Sequence, residues 1–192
     1  MNKNVKKWII CAGCLLVFIL AGVIAAMCCQ SKEIAEEQRQ AAAKAFVEML
    51  YTGDSKRYED YLRAAETKTP WDAYYADYGA LATDSCLSAM EHFQFVMVDA
   101  FVAESGAEVL VDGVQIELMP DGSDEKDLWK YFYSVDFHIT LQDSNFQESY
   151  RAEGMLCILH RRGVEPRVHF LEISDTNLFE YILQRVKRNG SL

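Results

Sequence analysis

Proline is scarce, three residues in 192, and glycine is held to ten, so the chain carries no long low-complexity linker and no collagen-like repeat. Charge is missing from one whole stretch: Trp8 to Cys29 contains no Lys, Arg, Asp or Glu. Beyond that stretch cysteine is thin, with only Cys86 and Cys157, which excludes a dense disulfide scaffold. The chain has no Gly-rich phosphate loop, no Gly-x-Ser-x-Gly elbow and no Cys-x-x-Cys outside the apolar run. No linear motif therefore nominates a catalytic centre, and no cofactor is expected. An enzyme is disfavoured but not excluded, because a fold can assemble a site from residues far apart in sequence.

What is present is an ordinary globular composition, 51% hydrophobic and 25% charged, which excludes a fully disordered chain and a multi-pass membrane protein. All 29 acidic residues but only 16 of the 19 basic ones lie in residues 30–192, a net charge of −13 for the body. Such a surface repels phosphate backbones, so nucleic acid is not an expected partner.

The uncharged run spans 22 residues, Trp8 to Cys29. As a helix it reaches about 33 Å, enough to cross a bilayer core and long for the hydrophobic part of a secretory signal. The best cleavage site, Ile24-Ala25-Ala26, lacks a small first residue, which favours an uncleaved signal-anchor over a cleaved signal. Lys3, Lys6 and Lys7 precede the run, while Glu33, Glu36 and Glu37 follow it. The positive-inside rule then divides the chain into a cytoplasmic basic tail (1–7), a transmembrane segment (8–29) and an extracytoplasmic body (30–192). Cys11, Cys14, Cys28 and Cys29 lie in or beside this run and read mainly as apolar filler, with acylation or cross-linking at Cys28-Cys29 as the alternative. In the body, two buried thiols are favoured over a Cys86–Cys157 disulfide.

Periodicity organises the body. Ile34, Gln38, Ala41, Ala42, Ala45, Phe46, Met49 and Leu50 recur at helical spacing over 32–51, with Gly53 available as a left-handed cap. Asp54 or Ser55 can open a second helix over about 55–64. Trp71 to His92 reads as a third helical region broken near Gly79, with Trp71, Tyr74, Tyr75 and Tyr78 as an aromatic core stripe. From Phe93 to Val102 apolar residues alternate, which predicts a strand. Asp112-Gly113 between apolar runs predicts a hairpin, or alternatively a bulge in one long strand, since the apolar phase shifts there. Pro120 to Asp124 and Asp143 to Asn145 read as turns. The clearest strand is 129–142, with Tyr131, Tyr133, Val135, Phe137, Ile139 and Leu141 on one face. Strands over about 148–161 and 167–173 follow, and Asp175 can cap a last helix bearing Leu178, Phe179, Ile182, Leu183 and Val186. Helices first, four to six antiparallel strands later and one terminal helix make an α+β body with helices on one face of a curved sheet.

The run Ala42-Ala43-Lys44-Ala45-Phe46-Val47-Glu48-Met49-Leu50-Tyr51-Thr52-Gly53-Asp54, followed by Tyr58 to Leu62, resembles the opening of the NTF2-like superfamily, where a first helix ends in a Gly-Asp turn before a short second helix. The resemblance covers about residues 34–173 by element order. It implies a cone-shaped domain in which a bent sheet wraps a long helix, and it is nearest to exported, membrane-tethered bacterial members. The anchored architecture is also similar to VirB8-like components of conjugation and secretion channels. The terminal helix and the loop over Pro120–Asp127 depart from the minimal pattern.

Enzymes of that superfamily place an Asp or His in the cone, and the matching residues are Asp99, Asp136 and His138. Asp136 and His138 share a strand face at i, i+2, where a carboxylate favours the charged imidazole, although Ser134 and Thr140 beside them also suit a solvated face. Asp99 interrupts the aromatic alternation and either lines a pocket or marks a strand end. His138, His160 and His169 come from different strands without close ligand spacing, so no metal is expected. The favoured reading is a non-catalytic membrane-anchored domain that binds a protein partner or self-assembles. The alternative is a small-ligand or enzymatic pocket. The 12% aromatic content points to a filled cone and hence to the first.

Overall fold

The computed structural model describes residue 27 and residues 30–67, 69–93, 95–120, 122, 126–141, 146–174 and 177–188. Two compact units are present, Met1–Gln38 and Arg39–Leu192. In the first, residues 27 and 30–38 are helical; the proposed transmembrane segment otherwise lies outside the described residues. Among the described residues no single helix is long and apolar enough to cross a membrane.

The body is α+β. Helix α1 covers residues 30–51. It is followed by α2 (Ser55–Glu66), α3 (Asp72–Tyr78), α4 (Asp84–Phe93), α5 (Met97–Ser105), strands β1 (Ala107–Leu118), β2 (Leu128–Leu141), β3 (Gln147–Leu159) and β4 (Arg167–Ile173), and helix α6 (Leu178–Arg188). The four strands form one antiparallel sheet in the order β1-β2-β3-β4. The outer edge of β4 is covered by the α3–α4 connection. There Thr83 N–H donates to the Val168 carbonyl and Val168 N–H to the Leu81 carbonyl, each at 2.8 Å.

Alternation in β2 sets the two faces of the sheet. Tyr131, Tyr133, Val135, Phe137, Ile139 and Leu141 are all buried. Tyr51 of α1 lies 5.7 Å from Phe137 between ring centroids, and Phe179 of α6 packs on the same ring at 5.7 Å. Phe101 of α5 meets Phe179 at 5.8 Å. Each such apolar side chain contributes roughly 1.5–3 kcal/mol by leaving water, so this aromatic layer fixes the helices to the sheet's inner face.

Three local expectations change. The segment around Met97 to Val102 is helical, not a strand. Val98, Phe101 and Ser105 also recur at i, i+3 and i+7, and Gly106 closes the helix in the left-handed conformation, its N–H donating to the Val102 carbonyl. A segment apolar on most faces satisfies both periods, and the cap decides. Asp112-Gly113 is a bulge within β1, with the register shift between Val111 and Gly113, and not a hairpin. Gly53 is not left-handed. A side chain there would collide with Val102, so close helix approach is what its missing Cβ permits. The turn at Asp143–Asn145, the Asp175 cap and most of Pro120–Asp124 lie outside the described residues.

Candidate functional site

The most concentrated polar chemistry lies among the helices, and Asp99 is part of it. Asp54 ends the α1–α2 turn and caps α2, its carboxylate accepting from the N–H groups of Lys56 and Arg57. The Asp54 N–H in turn donates to Asp99 Oδ1 at 2.8 Å, and the Tyr74 hydroxyl donates to Asp99 Oδ2 at 2.8 Å. Arg57 enters from α2. Its Nη1 donates to the Tyr78 hydroxyl at 2.9 Å, and its Nε lies 3.6 Å from Asp99 and 3.4 Å from Asp77. Tyr78 passes the chain on, donating to the Met49 carbonyl of α1 at 3.2 Å.

Burial and charge compete here. Burial lifts the Asp99 carboxyl above the ordinary carboxylate range, while Arg57, the Asp54 amide and the Tyr74 hydroxyl pull the other way. Burial also opposes the Arg57 charge, but Tyr78, Asp99, Asp54 and Asp77 together hold its pKa above the ordinary value. Burial and the neighbouring Asp99 raise Tyr74, keeping it a neutral donor. Asp99 thus lies in a helix and not at a strand end, and its two oxygens are used inside the protein. The arrangement joins α1, α2, α3 and α5. Arg57 carries no motif signal, but its place three residues after the capping Asp54 and four before Tyr61 puts it on the inward face of α2.

The pair Asp136 and His138 is separated in its partnerships. His138 Nδ1 bonds Asp112 Oδ1 at 2.8 Å across the β1 bulge, and Asp136 faces Arg151 of β3 at 3.4 Å. Both lie on the face opposite the aromatic layer. His169 Nδ1 bonds the Thr83 hydroxyl at 3.1 Å, and the His160 ring lies 6.1 Å from Trp129. Among the described residues no group of three or more His, Cys, Asp or Glu is arranged to hold a metal ion. Cys86 and Cys157 are not joined to each other, and burial pushes the Cys86 thiol up to about 12.

Between helices and sheet, the space bounded by Leu50, Tyr51, Phe95, Met97, Val98, Ile173 and Phe179 has a volume of about 10 Å³, room for about one water molecule. The larger recess is outside, a shallow cleft of about 370 Å³ on the face of β1–β3. Phe132 and Ser134 of β2, Gln115 and Glu117 of β1, and Arg151 and Glu153 of β3 line it. Arg151 is committed within it, donating to Ser134 Oγ at 2.8 Å and to Glu153 Oε1 at 3.2 Å. Compared with known proteins, the chain matches no family model, no curated protein and no solved structure.

Proposed function

We propose that this chain is a non-catalytic, membrane-anchored module whose body, outside the membrane, binds a protein partner or assembles with copies of itself. The observation that carries the reading is the closed interior. Where an NTF2-like cone would hold a ligand, Leu50, Tyr51, Val98 and Phe179 leave about 10 Å³, too little for a substrate. The polar residues that such a pocket would need are already engaged, Asp99 with Tyr74 and Asp54, and His138 with Asp112. An NTF2-like body behind one anchor, comparable to VirB8-like channel components, accords with this use of the surface in place of the interior.

Site-specific photo-crosslinking in intact cells tests it. Probes placed on exposed strand positions should give discrete adducts heavier than the monomer, and Asp136→Asn or His138→Ala should leave them unchanged. Protease added outside the cells should digest residues 30–192. A protected body overturns the orientation. Absence of adducts from every exposed position, with a small molecule instead retained by the purified chain, overturns the interaction reading.

A further inference from the structure

The outer face of the sheet carries an apolar strip that crosses three strands. Phe132 of β2 stands directly opposite Met155 of β3, and Cys157, two residues further on β3, stands opposite Phe170 of β4. Phe132, on the interior strand β2, is 50% exposed and Phe170, on the edge strand β4, 44%, two large aromatics open to solvent on one face. Met155 and Cys157 between them are half-buried. Directly opposed side chains on one face are about 4.5–5.5 Å apart at Cβ, so the four form a continuous strip.

Carboxylates border it. Glu117 of β1 lies directly opposite Phe132, Glu172 of β4 opposite Met155, and Glu153 of β3 opposite Ser134. With Asp136 these are four acids around the strip; the cations on the same face are Lys130, opposite Cys157, Arg151, and Arg167, opposite Leu159. Arg151 is already held by Ser134, Asp136 and Glu153. Among the described residues neither Glu117 nor Glu172 has a cationic partner. The cleft of about 370 Å³ opens between Phe132, Glu117 and Glu153. An aromatic ring flanked by carboxylates favours a cation above it, by the ring's quadrupole and by charge together.

We propose that this strip is the docking surface of the module, and that its occupant is a segment of a partner protein in which apolar side chains alternate with Lys or Arg. A basic side chain sits over Phe132 between Glu117 and Glu153, and apolar neighbours cover Met155 and Phe170. The inference rests on the interaction reading above and gives the partner its chemistry. A second copy of the chain fits less well, because its own rim would bring carboxylate against carboxylate.

The test uses the full-length chain in detergent micelles with methyl-labelled methionine, the Met155 signal being assigned by Met155→Leu. A hexapeptide alternating lysine and leucine is titrated, and its glutamate counterpart serves as control. The lysine peptide should shift the Met155 methyl. Phe132→Ser should weaken its binding roughly tenfold or more, as loss of a buried aromatic anchor does. Glu117→Gln, an exposed change that leaves the core untouched, should weaken binding about threefold, with the difference shrinking at high salt. Equal binding of both peptides, no response at Met155, or self-association through this face in sedimentation overturns the proposal. If Met155 is silent while cells still yield adducts from other positions, this surface falls and the interaction reading stands. If no position yields adducts, the interaction reading itself falls.

Discussion

Arg57 and Asp99 face each other in the helical layer with Nε 3.6 Å from Oδ2, both side chains only 6% exposed. The contact is ionic and not a linear hydrogen bond, for Arg57 Nε is buried without a hydrogen-bond partner, placed between Asp77 and Asp99. Two buried charges off the ideal geometry are held by their neighbours, with Tyr78 accepting from the guanidinium and Tyr74 and the Asp54 amide donating to the carboxylate. Such an arrangement joins helices at the expense of desolvation, and removing one member leaves the other exposed to that cost.

Arg57→Met and Asp99→Asn should therefore each destabilise the fold by about 2–4 kcal/mol, below the extreme for a buried pair because Asp54 and Asp77 remain beside Arg57. The double substitution should lose less than the two singles added together, with a coupling of about 1–3 kcal/mol in urea unfolding. Strict additivity would show that the two charges act independently and that the helices are joined by packing alone.

Gly53 and Val102 give a second coupling, this one steric. A Cβ at position 53 would overlap the Val102 side chain, a β-branched group that cannot swing aside freely. Gly53→Ala should cost about 1–3 kcal/mol, as overpacking does, and Val102→Ala in the same chain should recover part of it. If Gly53→Ala is neutral alone, the close approach of α5 to the α1–α2 turn is not as described.

The sequence made the sheet legible because β2 has one buried face and one wet face, and the alternation of Tyr131, Tyr133, Val135 and Phe137 admits only one reading. Strand β4 and the break after Gly79 were legible for similar reasons. Met97 to Ser105 was not, because a short segment apolar on most sides satisfies both periods. At Gly113 the phase shift was visible, but whether the chain turned back or bulged depended on pairing with Asp136 and Phe137 across β2. Of the candidate site residues, Asp99 drew notice for interrupting an alternation that turned out to be helical, and its partners Arg57 and Tyr74 were not read as polar partners. They come from separate helices, and no linear spacing records a meeting made by packing. The strip of Phe132, Met155 and Phe170 was hidden for the same reason, since register across three strands brings it together.

His138 and Asp136 should prove dispensable. Each is tied to an exposed partner, Asp112 or Arg151, whose side chain is about half accessible. Surface pairs of this kind are worth little, so Asp136→Asn and His138→Ala should each change unfolding free energy by no more than about 1 kcal/mol. A larger loss, measured in the same urea titration, would mean that the β1 bulge depends on the His138–Asp112 bond.

Cys86 and Cys157 should differ in reactivity. Burial raises the Cys86 thiol to about 12, so at mildly alkaline pH it holds little thiolate, the nucleophilic form. Cys157 lies half-buried on the outer strip. Iodoacetamide followed by peptide mass mapping should label Cys157 well before Cys86 in the native chain, and both at similar rates in denaturant. Faster labelling of Cys86 would show that α4 opens readily from the body.

The acid limb of stability should depend in part on His160. Burial lowers its pKa below the ordinary histidine value, and the nearby Arg39 lowers it further, against the weaker opposite pull of Glu165 and Asp127. As pH falls through about 6.5, the unfolded chain takes up this proton before the folded chain does. The contribution is therefore complete above the unfolded-state pKa and is lost as pH drops below it. His160→Gln removes the titration, so its unfolding midpoint in urea should fall less than that of the parent between about pH 7 and pH 5. The ring is partly exposed, which keeps the effect small, so the comparison is between slopes at matched ionic strength. Superimposable slopes, or a parent that gains stability on acidification relative to the variant, would show that burial and Arg39 do not disfavour the charged ring.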